Sequence, residues 1–362
     1  MSRRLIFHIG MPKTGSTAIQ QTLSKNRTKL RSAGILYPKL EVPRYNHRAL
    51  GAWLFEIPDE VLGLQIPEDI SLEAFSKAQC DAVIEQAQGS EINDIIISSE
   101  SFHKALDEES IGRLKQLMQD LNCTTMTALI YIRDPAAWFL SLTQEALKKG
   151  RCLPDAFPNF SRERVIRLIE SYSMLPGAEM IARCFDRSRL VGGDVVTDFM
   201  TCIGHGDFPL DYSAQPQNVS LSTEAMRYLE KHNTHVPKSL GELKTRRRMV
   251  EKLKAIDARL KAPTKPELNR AAREYIFAHD GSLTPLRQAY KIDFPSVDYS
   301  KLSEKSSHKQ LRMESLDDLC GHDEGRFKRL SLQMKLPFTV IKILAKWSKL
   351  DGMLRAQFSQ KI

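Results

Sequence analysis

Gly10-Met11-Pro12-Lys13-Thr14-Gly15-Ser16-Thr17 stands between the apolar run Leu5–Ile9 and a stretch whose apolar positions Ile19, Leu23 and Leu30 recur at helical spacing. The run reads as a buried strand, and Ser16 to Arg31 as a helix punctuated at its end by Gly34. Strand, glycine-bearing loop and helix in that order make an anion cradle. Successive backbone N–H groups and the positive end of the helix dipole converge on one point. Gly15 lets the backbone approach a ligand closely, and Ser16 and Thr17 add hydroxyl donors. Gly10 and Gly15 have the spacing of a Walker A loop, and Thr17 falls on its Ser/Thr position. Ser16, however, stands where the Walker lysine belongs, and the lysine has moved three places back to Lys13. The plainer alternative is a helix capped by Ser16 behind a Gly-Pro loop.

Outward from that loop the same alternation continues. Ile35–Tyr37 reads as a short strand, 72–88 as a helix, Ile95–Ile97 as a buried strand and Glu109–Leu121 as an amphipathic helix. Thr127–Ile132 is a further apolar strand, and Pro135 opens a helix running to about Lys149. Helix, strand and helix follow through 160–203, with Met180–Cys184 as the strand. The pattern predicts an α/β fold: a P-loop-type parallel sheet flanked by helices. From Leu221 to about Tyr290 the chain is helical in pattern and rich in charge, so the C-terminal part is expected to be mostly helical. Ser303–Lys309 has no apolar residue, which places a boundary near residue 300. Residues 1–300 then form the main domain and 301–362 a basic, partly amphipathic appendage.

A second constellation sits at the end of the strand Thr127–Ile132. Arg133 follows it directly, and Ser141 lies about two turns into the next helix. The end of a parallel strand is where α/β folds take ligands. A guanidinium there can fork onto a phosphate, with the hydroxyl as a second donor. The alternative is an arginine paired with a carboxylate at the sheet edge and an idle serine.

Taken together, Pro12–Thr17 and Arg133…Ser141 resemble the sulfotransferases that use 3′-phosphoadenosine-5′-phosphosulfate (PAPS). The resemblance is specific at these two motifs. It is diffuse elsewhere over residues 4–299, with weaker echoes in Phe185-Asp186, Gly192-Gly193-Asp194, Asp198-Phe199 and Asn218–Ser222. It implies that Lys13 meets the bridging oxygen whose charge grows as sulfur leaves. It implies too that Thr14, Gly15, Ser16 and Thr17 hold the 5′-phosphosulfate, and that Arg133 and Ser141 hold the 3′-phosphate. The product would be adenosine 3′,5′-bisphosphate, with no metal expected. Ser220 and Ser222, before a helical run, read as helix caps rather than as ligand contacts.

Such a transfer needs a general base to take the acceptor's proton. Glu100, two residues past Ser98 at the end of the strand Ile95–Ile97, is one candidate. His47 is another, its imidazole titrating near ~6.5; Glu41 is a weaker third. Either of the first two can instead make a structural hydrogen bond. Resemblance to bacterial enzymes favours a carbohydrate or glycolipid acceptor. The run Lys244–Arg248 is either a contact for an acidic acceptor or a solvated helix face.

Charge is distributed unevenly. The net charge is +9, yet residues 326–362 carry nine basic residues against Asp351 alone. The rest of the chain is close to neutral, so the balance says little about the main domain's ligand. Phe338–Leu350 places Lys342, Lys346 and Lys349 on one helical face, with Val340, Ile341, Leu344 and Trp347 roughly opposite. That pattern suits peripheral contact with an anionic membrane, or packing on the main domain. Six cysteines without any C-x-x-C pair, an N-terminal apolar run too short for a signal peptide and no span of ~20 apolar residues predict a cytoplasmic protein. The basic stretches lack the interleaved aromatics of a nucleic-acid platform, so no nucleic-acid partner is expected. The rival assignment is a P-loop small-molecule kinase or NTPase, which would call for a Walker lysine and a magnesium-holding Asp; Asp134 is the nearest substitute.

Overall fold

The computed structural model describes residues 3–89, 91–153, 163–212, 220–235, 243–302 and 314–337. Five strands, β1 (Arg3–Ile9), β2 (Ile35–Leu36), β3 (Asp94–Ser99), β4 (Cys123–Ile132) and β5 (Ala178–Cys184), form one sheet in the order β2-β3-β1-β4-β5. Every pairing is parallel. The helices are α1 (Ser16–Lys25), α2 (Arg27–Ser32), α3 (Gly51–Phe55), α4 (Asp59–Leu62), α5 (Leu72–Gln86), α6 (Glu108–Asp120) and α7 (Pro135–Lys148). They continue with α8 (Glu163–Ser173), α9 (Val195–Cys202), α10 (Thr223–His235), α11 (Leu243–Arg259), α12 (Arg270–His279), α13 (Leu283–Tyr290) and α14 (Glu324–Met334). The predicted α/β architecture with a helical C-terminal part is the architecture found.

Two compact units divide the chain. The first comprises Met1–Asp134, Ser161–Pro216 and Asp280–Tyr299, and the second Pro135–Phe160, Gln217–His279 and Ser300–Ile362. One boundary between the units falls at 299/300, and the described residues beyond it share their unit with α7, α10, α11 and α12.

The first unit holds the sheet. Side chains alternate across β1: Ile6 joins Ile19, Leu23, Ile96, Leu129 and Phe199 in a fully buried cluster beneath α1 and α9. Phe7 points to the other face, stacking on Phe102 at 4.6 Å and meeting Phe55 and Tyr172 from α3 and α8. A central parallel strand covered on both faces must be apolar on both, and Leu5–Ile9 is, except for His8. The helix predicted over Ser16–Arg31 is broken at Asn26. Its side-chain amide donates to the carbonyls of Thr22 and Asp211, and its oxygen accepts the Asp211 N–H, so a long-range tie splits α1 from α2.

In the second unit Arg326, fully buried on α14, donates to Glu224 (2.9 Å), Ser222 (2.7 Å) and the Asp257 carboxylate (2.8 Å). The basic run that sequence places from 326 onward thus opens with an interior ion pair. Ser222 accepts the Ala225 N–H at the start of α10, so the cap reading applies to it. Arg246 donates to the carbonyls of Leu147 and Lys148 at the C-terminal end of α7, where a cation complements the helix dipole. Within Lys244–Arg248, Arg247 and Arg248 are exposed. Asn218, Val219 and the amphipathic segment Phe338–Leu350 lie outside the described residues. No described helix is long and apolar enough to cross a membrane. All six cysteines are free thiols.

Candidate functional site

The order β2-β3-β1-β4-β5 sends the chain from β1 to one side of the sheet and later to the other. The crevice beyond the carboxyl ends of β3, β1 and β4 is therefore the switch point where such sheets bind ligands. Each of these adjacent parallel strands delivers one singled-out residue to that edge: Glu100 after β3, Lys13 after β1 and Arg133 after β4.

The loop after β1 is held at both ends. The Gly10 N–H donates to the Ser99 carbonyl of β3 at 2.9 Å. A methyl on Gly15 would sit 2.9 Å from Val195 Cγ1 and 3.1 Å from Phe185 Cε2. Gly15 also has φ +80°, and Lys13 is held at φ +68°, which a lysine adopts only when its surroundings impose it. The hydroxyls of Thr14 and Ser16, both buried, donate to the Met11 carbonyl at 2.7 and 3.3 Å. Their protons shape the loop, where the resemblance implied ligand contact. No side chain caps α1, and its first turn carries no acid, so its N-terminal N–H groups have no carboxylate of their own helix beside them.

Arg133 comes to this loop from 120 residues away. Its guanidinium donates to the Lys13 carbonyl at 3.2 Å and lies 5.9 Å from the Phe185 ring centre. Burial works against its charge while Asp134 supports it; a guanidinium stays protonated regardless. Phe185, directly after β5, therefore packs against both the loop glycine and the arginine, and its N–H donates to the Ile132 carbonyl at 2.8 Å. Sequence marked the Phe185-Asp186 pair only as a weak echo; nothing local shows that the ring wedges between the two motifs. Asp134, the rival reading's magnesium residue, accepts a hydrogen bond from Ser296. Ser141 is half-buried on α7, in the second unit.

The candidate bases separate cleanly. His47 is fully buried, and both ring nitrogens are taken: one donates to the Pro38 carbonyl at 2.9 Å, the other accepts the Ser98 N–H at 2.8 Å. Burial lowers its pKa to about 4, with Arg27 adding to the effect. It pins the segment after β2 onto β3 and has no nitrogen left to take a substrate's proton, which removes it as a base. Glu41 is exposed. The Glu100 carboxylate reaches solvent and makes no hydrogen bond or ion pair among the described residues. Surrounding protein nevertheless desolvates it and raises its pKa, against the opposing pull of Lys13, His103 and Arg48. A carboxylate raised in this way, in electrostatic reach of the loop lysine, has the character of a base.

No family model matches the sequence, and no curated protein matches it. A structure from the PezAT chromosomal toxin-antitoxin system of Streptococcus pneumoniae aligns with 69% of this chain and 85% of its own, at 13% identity and a TM-score of 0.27. The 54 kDa signal recognition particle protein of Aeropyrum pernix K1, solved with GDP, aligns with 98% of this chain and 78% of its own, at 12% identity and a TM-score of 0.22. Scores of this size carry no argument about function, and the fold assignment rests on the sheet itself.

Proposed function

We propose that the chain is a PAPS-dependent sulfotransferase acting on a hydroxyl or amine, in keeping with a carbohydrate or glycolipid acceptor. The observation that carries this reading is the Arg133–Lys13 bond. It joins the arginine suited to a 3′-phosphate to the loop suited to a 5′-phosphosulfate, so one bisphosphorylated nucleotide can span both. A kinase or NTPase has no need of that second anion site.

In the proposed step Glu100 accepts the acceptor's proton while its oxygen or nitrogen forms a bond to sulfur. The bond from sulfur to the bridging oxygen breaks in line, and the electron pair stays on adenosine 3′,5′-bisphosphate. Lys13 and the N-terminal N–H groups of α1 stabilise the charge that grows there. The chemistry is mostly alignment and electrostatics, as in phosphoryl transfer.

The test is transfer of label from [35S]PAPS to a crude envelope extract, in EDTA, by wild type, Lys13→Ala and Arg133→Ala. The expected result is metal-independent labelling that both substitutions abolish while the melting profile survives. Labelling unchanged by either substitution contradicts the mechanism. Phosphate transfer from ATP that requires magnesium would favour the kinase reading instead.

A further inference from the structure

We propose that Phe185 is the spacer of the nucleotide site: its ring fixes the distance between the glycine loop and Arg133, and so makes the site select the position of the second phosphate on the ribose. The inference rests on the sulfotransferase reading above and adds what selects the donor nucleotide. Phe185 is a positioning residue here, acting through Gly15 and Arg133 rather than on the reacting atoms.

The half-buried ring meets both anion sites at once. Its Cε2 stands 3.1 Å from where a Gly15 side chain would begin, so the loop glycine rests on it without room for a methyl. The Arg133 Cζ lies over the same ring, 5.9 Å from its centre, within the range of a cation–π contact. A ring in that place orients a guanidinium and leaves its charge for a phosphate. A carboxylate there would orient it too, but would cancel the charge.

The ring is itself held. The Phe185 N–H donates to the Ile132 carbonyl at 2.8 Å, which ties its backbone to the residue directly before Arg133. The Tyr131 ring meets it edge-on at 6.4 Å, and the Tyr131 hydroxyl is anchored on the buried Asp198 carboxylate at 2.8 Å. Phe185 also packs against the buried cluster that contains Ile19, Leu129 and Phe199. Arg133 donates to the Lys13 carbonyl at 3.2 Å, so loop, ring and guanidinium close a triangle of contacts. Removing the ring opens two sides of that triangle, and a side chain as long as arginine's then regains rotamer freedom.

The consequence is one of position rather than of charge. The 2′- and 3′-phosphates of a 5′-phosphorylated adenosine carry the same charge on neighbouring carbons. A cation free to follow the ligand binds both isomers alike. A cation fixed relative to the loop fits one of them and meets the other out of place, so preorganisation becomes specificity.

Isothermal titration of the full chain with adenosine 3′,5′-bisphosphate and with its 2′,5′ isomer reads this as a ratio. Wild type is expected to prefer the 3′,5′ isomer by at least about tenfold. Phe185→Leu and Phe185→Met, which fill much of the same space without a ring, are expected to reduce the preference below about threefold, while Phe185→Tyr keeps it. Val195→Ala takes away the other close neighbour of Gly15 and is expected to move both affinities together, leaving the ratio. A general loosening of the fold behaves in the same way, so the ratio separates positioning from stability. Three results overturn the inference and leave the sulfotransferase reading standing: a preference that survives in either ring-free variant, one that falls as far in Val195→Ala, or none in a wild type that binds the 3′,5′-bisphosphate more tightly than adenosine 5′-monophosphate. Loss of the fold in both ring-free variants also overturns it, because the ring would then serve the core rather than the site. A wild type that binds the bisphosphate no better than the monophosphate counts against the sulfotransferase reading itself, and the spacer falls with it.

Discussion

Gly15→Ala tests whether the glycine loop is built as found, and its cost has two separable parts. The first is backbone: an alanine at φ +80° costs roughly 1–2 kcal/mol, because its Cβ crowds the following carbonyl. The second is packing: the new methyl would stand 2.9 Å from Val195 Cγ1 and 3.1 Å from the Phe185 ring, and such overfilling costs about 1–3 kcal/mol. Together they predict a loss of roughly 2–5 kcal/mol. For a domain of 150–250 residues that lowers Tm by about 4–20 °C, at ~2–4 °C per kcal/mol. Val195→Ala removes the nearer obstacle. The double variant Gly15→Ala/Val195→Ala is therefore expected to be about 1–3 kcal/mol more stable than the sum of the single losses, while the backbone part persists. Urea titrations of the four proteins complete the cycle. Additive losses, or a Gly15→Ala protein as stable as wild type, would refute the packing of the loop against Val195 and Phe185.

Other outcomes follow from the same geometry. Glu100→Gln is expected to lower turnover by ~10²–10⁴-fold and to remove the acidic limb of the pH–rate profile, which in wild type lies above the ordinary carboxylate range. Since a raised carboxyl pKa means that folding holds the proton more tightly, the ionised Glu100 detracts from stability at neutral pH. Glu100→Gln is expected to melt no lower than wild type, and a clear drop in Tm would show a structural role instead. His47 is depressed to about 4 from an unfolded value near 6.5, so its contribution is full above 6.5 and fades as pH falls toward 4. Stability is expected to lose about 2 kcal/mol between pH 7 and pH 5 on this account, and His47→Gln to flatten that slope in urea titrations. Arg326→Ala is expected to destabilise the second unit by about 3–5 kcal/mol, because Glu224 and Asp257 are left buried without their cation; a loss under 1 kcal/mol would contradict the buried network.

What sequence could convey was what is local. Strand, glycine loop and helix lie within thirty residues of one another, and apolar periodicity laid out β1, β3 and β4 with α5 and α6 between them, while the short α3 and α4 carried no such signal. The placement of Lys13, Glu100 and Arg133 on one edge followed once the strands were taken as parallel. The rest depended on contacts between distant residues. Asn26 breaks a helix through Asp211, His47 is consumed by a strand that follows fifty-one residues later, and Phe185 finds the glycine loop across the sheet. Arg326 reads in sequence as one more tail cation because Glu224 and Asp257, its partners, lie about a hundred and about seventy residues away.

The central claim is that one nucleotide with phosphates at both ends bridges the loop of Lys13 and the guanidinium of Arg133. Isothermal titration with adenosine 3′,5′-bisphosphate and with adenosine 5′-monophosphate measures it directly. The account predicts that wild type prefers the bisphosphate by at least about tenfold, ~1.4 kcal/mol, and that Arg133→Ala binds the two alike. Equal affinities in wild type, or a preference that persists in Arg133→Ala, would contradict it.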